Sequence, residues 1–299
     1  MTGVQTCALP IYVIRLVVLA ALWGGSFIFM RVVAPVFGPV WTASLRVLVG
    51  GAVLLAYCRL TGFGVGWREH LRHYAVIGLL NSAVPFFLFA YAALRLPASL
   101  SAIFNSTSPL FGSVFAALWL GDALTGRRAA GLLLGTAGVA LMSWQQGAAI
   151  GPGGGLAMGA CLGAACCYGL AASYLKKFAR HVPPLGVATC SQLLAGAMLL
   201  VFAPFAPLRG AVTPEAAACL VALALLCSAL AYVLYFRLIA DVGPAKALTV
   251  TYLIPVFGIL WAVLFLGETV TLPMLAGGGL IVAGIALVVR PKPADPVAG

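Results

Sequence analysis

The chain has 299 residues, of which 63% are hydrophobic and 8% charged, with a mean hydropathy of +1.12. Soluble domains carry about a quarter charged residues, so this composition excludes a soluble globule, a disordered chain and a small disulfide scaffold. The net charge of +11 does not indicate nucleic acid, because the cations fall in short gaps between apolar runs and form no solvated basic face.

Residues 1–11 (MTGVQTCALPI) differ in character from the remainder of the chain. They resemble the conceptual translation of a common short-read sequencing adapter, and are set apart from the fold on that ground. A signal peptide is the alternative, but no basic region precedes the apolar run. Beyond them, apolar runs divided by Gly, Pro and charge predict ten membrane-spanning helices. They lie near 12–33, 38–58, 72–93, 97–119, 127–144, 153–175, 184–206, 214–238, 244–266 and 271–289, with a short tail at 291–299.

The basic residues sort by side. One side receives Arg15, Arg59, Arg68, Arg72, Arg127, Arg128, Lys176, Lys177, Arg180, Arg237, Lys246, Arg290 and Lys292. The other receives Arg31, Arg95 and Arg209, while Arg46 lies inside a span. Positive charge accumulates on the cytoplasmic side of membrane proteins, so both termini are expected there.

The chain repeats itself. An offset of 146 carries residues 79–141 onto 225–287 without a gap. Pro109-Leu110-Phe111-Gly112 meets Pro255-Val256-Phe257-Gly258, and Leu120-Gly121-Asp122 meets Leu266-Gly267-Glu268. About three in ten positions are identical, against roughly one in ten expected from composition. An offset of 145 extends the match upstream, Trp23-Gly24 onto Tyr168-Gly169, Arg31 onto Lys176 and Gly51-Ala52 onto Gly196-Ala197. The expected architecture is an all-α integral membrane protein of ten helices in two five-helix repeats, 12–146 and 153–290. Because five is odd, the second repeat enters from the opposite face, and inverted repeats are characteristic of transporters.

These motifs resemble the EamA family of the drug/metabolite transporter superfamily. The resemblance rests on Leu22-Trp23-Gly24-Gly25-Ser26-Phe27, Leu45-Arg46, the Pro-centred fourth helix ending Leu120-Gly121-Asp122, and the run from Phe257 to Glu268. Gly-rich helices follow both ends. Asp122 departs from the Glu usual at that place in the family. The resemblance implies a multi-pass protein of a bacterial inner (plasma) membrane that exports or exchanges small polar metabolites, amino acids among them.

Polar groups inside spans are costly and mark candidate sites. Arg46 is foremost, since a charged Arg near a helix centre costs about 2.5–3.5 kcal/mol on insertion scales. At 1.5 Å per residue from Pro39 it lies about 10 Å into its span, where a guanidinium needs water, an anion or carbonyls. An anionic or zwitterionic substrate would supply that charge. A structural brace to neighbouring carbonyls is the competing reading. Trp23, Asn81, Asn105, Tyr168, Gln192, Tyr232 and Thr251 complete the candidate substrate-binding set, around a polar cavity between the halves. The run from Asn105 to Ser108 precedes Pro109, whose missing N–H frees a carbonyl one turn earlier.

Catalysis finds little support. Asp122, Glu215, Asp241, Glu268 and Asp295 lie at span ends or beyond, and Glu69 in a loop. No carboxylate pair or nucleophile set has matched spacing. The cysteines carry no CxxC pair and His70, His73 and His181 fall in polar gaps, so neither a metal nor a cofactor is expected. A membrane-embedded transferase and a non-transporting packing subunit are the lesser alternatives.

Overall fold

The computed structural model describes residues 5–243, 247 and 249–289, and among them every regular element is helical. The first run, Gln5–Leu60, bends at Gly38 into two arms, α1 (5–37) and α2 (39–60). Gly38 adopts φ 78° and ψ 163°, a conformation that a side chain would strain. The chain continues as α3 (Trp67–Ala92), α4 (Ala98–Leu120), α5 (Gly126–Ile150), α6 (Gly154–Phe178) and α7 (Pro184–Leu200). It ends with α8 (Pro214–Val242), α9 (Val250–Leu266) and α10 (Leu272–Val289).

Five of these stretches, with Ile11–Leu60 taken as one, are long and apolar enough to cross a membrane, and α7, α9 and α10 are shorter apolar helices. Leu118 and Leu133 are both 73% exposed and Phe265 68%, which suits side chains that meet acyl chains and not water.

Several boundaries differ from expectation. α1 begins at Gln5, inside the segment set apart by composition. α5 continues to Ile150, well past 144. α7 stops at Leu200 instead of 206, because Pro204 and Pro207 cannot donate to a continuing helix, and a 3₁₀ turn over Ala203–Phe205 takes its place. α4 breaks after Asn105 and resumes at Ser108. The expected starting residues of the ninth helix, 244–246, and the tail lie outside the described residues.

Local chemistry sets the ends. The hydroxyl of Thr125 accepts the backbone N–H of Arg128, and that of Thr213 accepts the N–H of Ala216, each opening a helix. Gly121 (φ 71°) and Gly267 (φ 63°) close α4 and α9 in the left-handed conformation. They are repeat equivalents.

The packing repeats with the sequence. A Cβ on Gly24 of α1 would come 2.8 Å from the nitrogen of Gly258 on α9, and one on Gly169 of α6 would come 2.6 Å from the nitrogen of Gly112 on α4. The sequence offset turns the first contact into the second. Gly51 of α2 abuts Leu193 of α7, while Gly196 of α7 abuts Leu48 of α2. A Cβ on Gly131 would lie 2.6 Å from the carbonyl of Gly284, and one on Gly138 2.6 Å from the carbonyl of Gly277. In the last two pairs the numbering runs in opposite senses. α2 therefore packs antiparallel to its own copy α7, and α5 to its copy α10, about an axis perpendicular to the helices.

Without a hydrophobic drive between helices in lipid, such close approaches and interhelical hydrogen bonds hold a bundle together. Gly138→Leu is expected to lower the apparent melting temperature in detergent by several degrees, with overpacking of this kind costing about 1–3 kcal/mol. Gly279→Leu, where nothing lies within 4 Å of an added Cβ, should leave it unchanged.

Candidate functional site

The site grows from one residue of α2. Arg46 is 3% exposed. Its Nε donates to Ser228 Oγ on α8 at 2.9 Å, and its Nη1 approaches Met30 Sδ on α1 at 3.6 Å. Its Cζ lies 3.8 Å from the centroid of the Phe86 ring on α3, a cation–π contact. None of these partners is a carboxylate. Arg46 faces the interior, as expected, and is held among α1, α3 and α8.

Gln192 of α7 stands beside it. Its Nε2 donates to the carbonyls of Ala188 and Ser228, both at 3.2 Å. Its Oε1 is buried without a partner among the described residues, and so is Ser82 Oγ of α3. Gly50, one turn along α2 from Arg46, makes room for this arrangement. A Cβ there would come 2.8 Å from Ser228 Cβ and 3.1 Å from Gln192 Oε1.

α3 and α8 each contain a π-helical turn, Leu79–Ala83 and Leu225–Leu230. The 146-residue offset relates them. Such turns rotate the side chains of one helical turn and often mark functional sites. Here they carry Asn81 and Ser82 in one copy and Cys227 and Ser228 in the other.

Aromatic rings adjoin this polar centre. Trp23 packs on Tyr232 (5.9 Å between centroids) and Tyr235 (5.2 Å), while Tyr168 stacks on Phe89 (6.2 Å). Because Trp23 corresponds to Tyr168 and Tyr235 to Phe89, the offset again converts one contact into the other. Asn81 Nδ2 donates to Tyr232 Oη at 3.5 Å. Contacts thus gather Trp23, Asn81 and Tyr232 in one set, and Arg46 and Gln192 in another around Ser228. Tyr168 packs on the apolar cluster that includes Phe86.

Neither set reaches Asn105. It is half-buried on α4, and its repeat equivalent Thr251 is half-buried on α9. The neighbouring hydroxyls of Ser106, Thr107 and Ser108 donate to the carbonyls of Ile103, Phe104 and Asn105 at 2.6, 2.7 and 2.6 Å. They serve the broken backbone of their own helix. A crevice of about 130 Å³ at this break, between Ser106, Pro255 and Gly278, is mostly apolar.

Sequence reasoning passed over Phe86 and Met30. Phe86 had a signal, because it is the repeat equivalent of Tyr232. Ser228 was visible as a polar residue in a span, but only the fold shows it bound to Arg46. The three histidines, scattered in sequence, meet elsewhere, with His181 5.5 Å from His70 and 5.4 Å from His73 between ring centroids.

A family model described as the EamA-like transporter family matches residues 11–144 and again 155–290. The chain belongs to this family. The uncharacterized transporter YvbV of Bacillus subtilis (strain 168) is 28% identical over 275 residues, 90% of this chain and 88% of that protein. The uncharacterized inner membrane transporter YedA of Escherichia coli (strain K12) is 27% identical over 282 residues, 92% and 90% of the two chains. A "probable terminal-alkyne amino-acid exporter" of Streptantibioticus cattleyicolor is 26% identical and covers 92% of each. A crystal structure superposes with a TM-score of 0.64 at 21% identity, over 93% of this chain and 96% of that one, which shows a shared fold. The two matched segments are the two EamA repeats, and the protein is a membrane transporter by family.

Ser228 Oγ is the oxygen that Arg46 Nε uses, so Ser228→Ala should destabilise the protein by about 1–3 kcal/mol. Ser82→Ala removes the repeat-equivalent hydroxyl, which is buried without a partner among the described residues, and should leave stability unchanged or raise it, because an unsatisfied buried hydroxyl is itself a cost. Thermal unfolding of the two variants in detergent checks the contrast.

Proposed function

We propose that this protein is a secondary transporter that moves a small polar metabolite, anionic or zwitterionic, across a bacterial inner membrane by alternating access. In this reading all ten helices span the bilayer as two inverted five-helix repeats, 12–146 and 153–290, with both termini cytoplasmic. The thirteen-to-three division of basic residues supports the orientation. The antiparallel packing of α2 on α7 and of α5 on α10 supports the inversion. The inner-membrane name of the Escherichia coli relative supports the compartment.

The observation that carries the substrate class is Arg46, a buried guanidinium whose partners are a hydroxyl, a thioether and an aromatic face. Desolvated cations are ordinarily balanced by an opposite charge. A carboxylate entering from solvent would provide that balance and could take a bidentate geometry on the guanidinium. The unpartnered Gln192 Oε1 is an acceptor, which fits the ammonium of a zwitterion. Asn81, Asn105, Tyr232 and Thr251 would orient further polar groups, and Trp23 and Tyr168 would wall the cavity. The named amino-acid exporter among the relatives makes amino acids the first probes to use.

Counter-flow in proteoliposomes with a panel of labelled amino acids tests the reading. The wild type should accumulate at least one member. Arg46→Gln should insert normally yet require tenfold or more substrate for half-maximal uptake, the effect of losing about 1.4 kcal/mol of binding. Unchanged transport by a well-inserted Arg46→Gln protein would overturn the assignment.

A further inference from the structure

Three imidazoles meet where the corner between α6 and α7 packs on the start of α3. The ring of His181, at the corner, lies 5.5 Å from that of His70 and 5.4 Å from that of His73 between centroids. Both contacts are edge-on, an arrangement that suits neutral rings. His70 is buried and His181 exposed, so the cluster has an inner member and a route to water. Val182, next to His181, is buried in one apolar cluster with Tyr74 and Ile77 of α3, which seats the corner.

Little negative charge faces these rings. Among the described residues Glu69 is the one carboxylate paired with them, 3.8 Å from His70 Nε2 and 77% exposed. Also on α3, Arg72 adds positive charge beside His73, and Tyr74 stands edge-on to His70 with its hydroxyl given to the carbonyl of Val65. From α6, Tyr174 Oη bonds His73 Nδ1 at 3.0 Å. Beyond the end of α6, Arg180 turns back to the carbonyl of Lys176, and α7 brings Cys190 into the apolar cluster with Tyr74. The Tyr174 bond survives protonation, because a charged ring donates from Nδ1 to Oη. Contacts between the rings do not. Imidazoles take up protons between about pH 5 and pH 8, charged rings at these separations repel, and one exposed carboxylate cannot offset three of them.

The opposite corner, between α1 and α2, is built differently. The offset of 145 relates His181 to Val36. The offset of 146, continued back along unbroken α3 and α8, relates His70 to Ala216 and His73 to Cys219. Val36, Ala216 and Cys219 share an apolar cluster with Val33 and Phe37, and none of them takes positive charge. The carbonyl of Val36 also accepts the N–H groups of Arg209 and Gly210, at 2.9 and 3.2 Å, a tie between backbones that does not titrate.

We propose that His70, His73 and His181 form a proton-operated joint, which holds the α6–α7 corner on α3 while the rings are neutral and parts it when they are charged. Acid then loosens this face of the bundle and leaves the other corner closed. The joint adds regulation to the transporter reading above, on which it rests for the assignment of this face as cytoplasmic. Its test needs no substrate.

Amide hydrogen exchange of the whole protein in lipid nanodiscs, at about pH 5 and about pH 8, reads the joint directly. Rates are taken relative to an unstructured chain, which removes the intrinsic effect of pH on exchange. Peptides over 179–187 should lose at least tenfold protection in acid, while peptides over 31–40 should not change. His181→Gln replaces the corner's ring with a polar group that cannot be charged, and should keep the corner protected at both values. His181→Lys, charged at both, should leave it unprotected at both. Wild-type protein with no acid loss at 179–187 would overturn the joint. So would an acid loss that persists in His181→Gln, or one equal at the two corners. An acid-sensitive corner in a protein that gives counter-flow of no amino acid would defeat the transport reading and leave the joint standing. Counter-flow with a corner indifferent to pH would do the reverse.

Discussion

Repeat-related backbones must touch, and the rest of this structure depends on it. α2 meets α7, and α5 meets α10, across distances that leave no space for a Cβ. In lipid there is no gain from hiding one apolar helix against another, so dispersion at close range and hydrogen bonds between helices must supply the cohesion. Glycine at the meeting points permits both. Once these two pairs are antiparallel about one axis, the remaining contacts arise in duplicate. Gly24 on Gly258 has its copy in Gly169 on Gly112, and Trp23 on Tyr235 has its copy in Tyr168 on Phe89.

The copies diverge around Arg46. The position of Arg46 is taken by Ser191 in the second repeat, and that of Ser228 by Ser82 in the first. A contact present on one side of the axis, guanidinium to hydroxyl, is thereby reduced on the other to two serines, one of which has no partner. Phe86 and Tyr232 diverge likewise, one presenting a ring face to the cation and the other a hydroxyl to Asn81. Duplication supplies a scaffold of two related halves. Among the described residues, divergence leaves one buried arginine, Arg46, held by a serine hydroxyl that has its copy in Ser82.

Much of this was legible in the chain itself. Ten apolar segments, the two offsets and the glycines follow from composition and period, because span length and close packing act directly on residue type. The burial of Arg46 was readable from the cost of placing a charge in a span. What escaped depends on the fold. The bend at Gly38 that keeps α1 and α2 in one run needs a measured φ. The π turns of α3 and α8 arise from packing and leave no compositional trace. Glu268 read as an acid at a span end, and its partners on α4 lie 169 and 170 residues away in sequence. The hydroxyls of Ser106, Thr107 and Ser108 satisfy carbonyls three residues back, which is the common role of Ser and Thr in membrane helices.

In the proposed function, Arg46 selects a negatively charged group. Equilibrium binding to the purified wild-type protein in detergent tests it most directly, with an amino acid that gives counter-flow as the labelled ligand and its carboxamide as competitor. The two molecules match in size and in their ammonium, and differ at the group that would meet the guanidinium. The unlabelled acid should displace the label, and the carboxamide should require at least tenfold higher concentration. Equal displacement by both would show that the guanidinium is a structural brace, with the substrate held elsewhere.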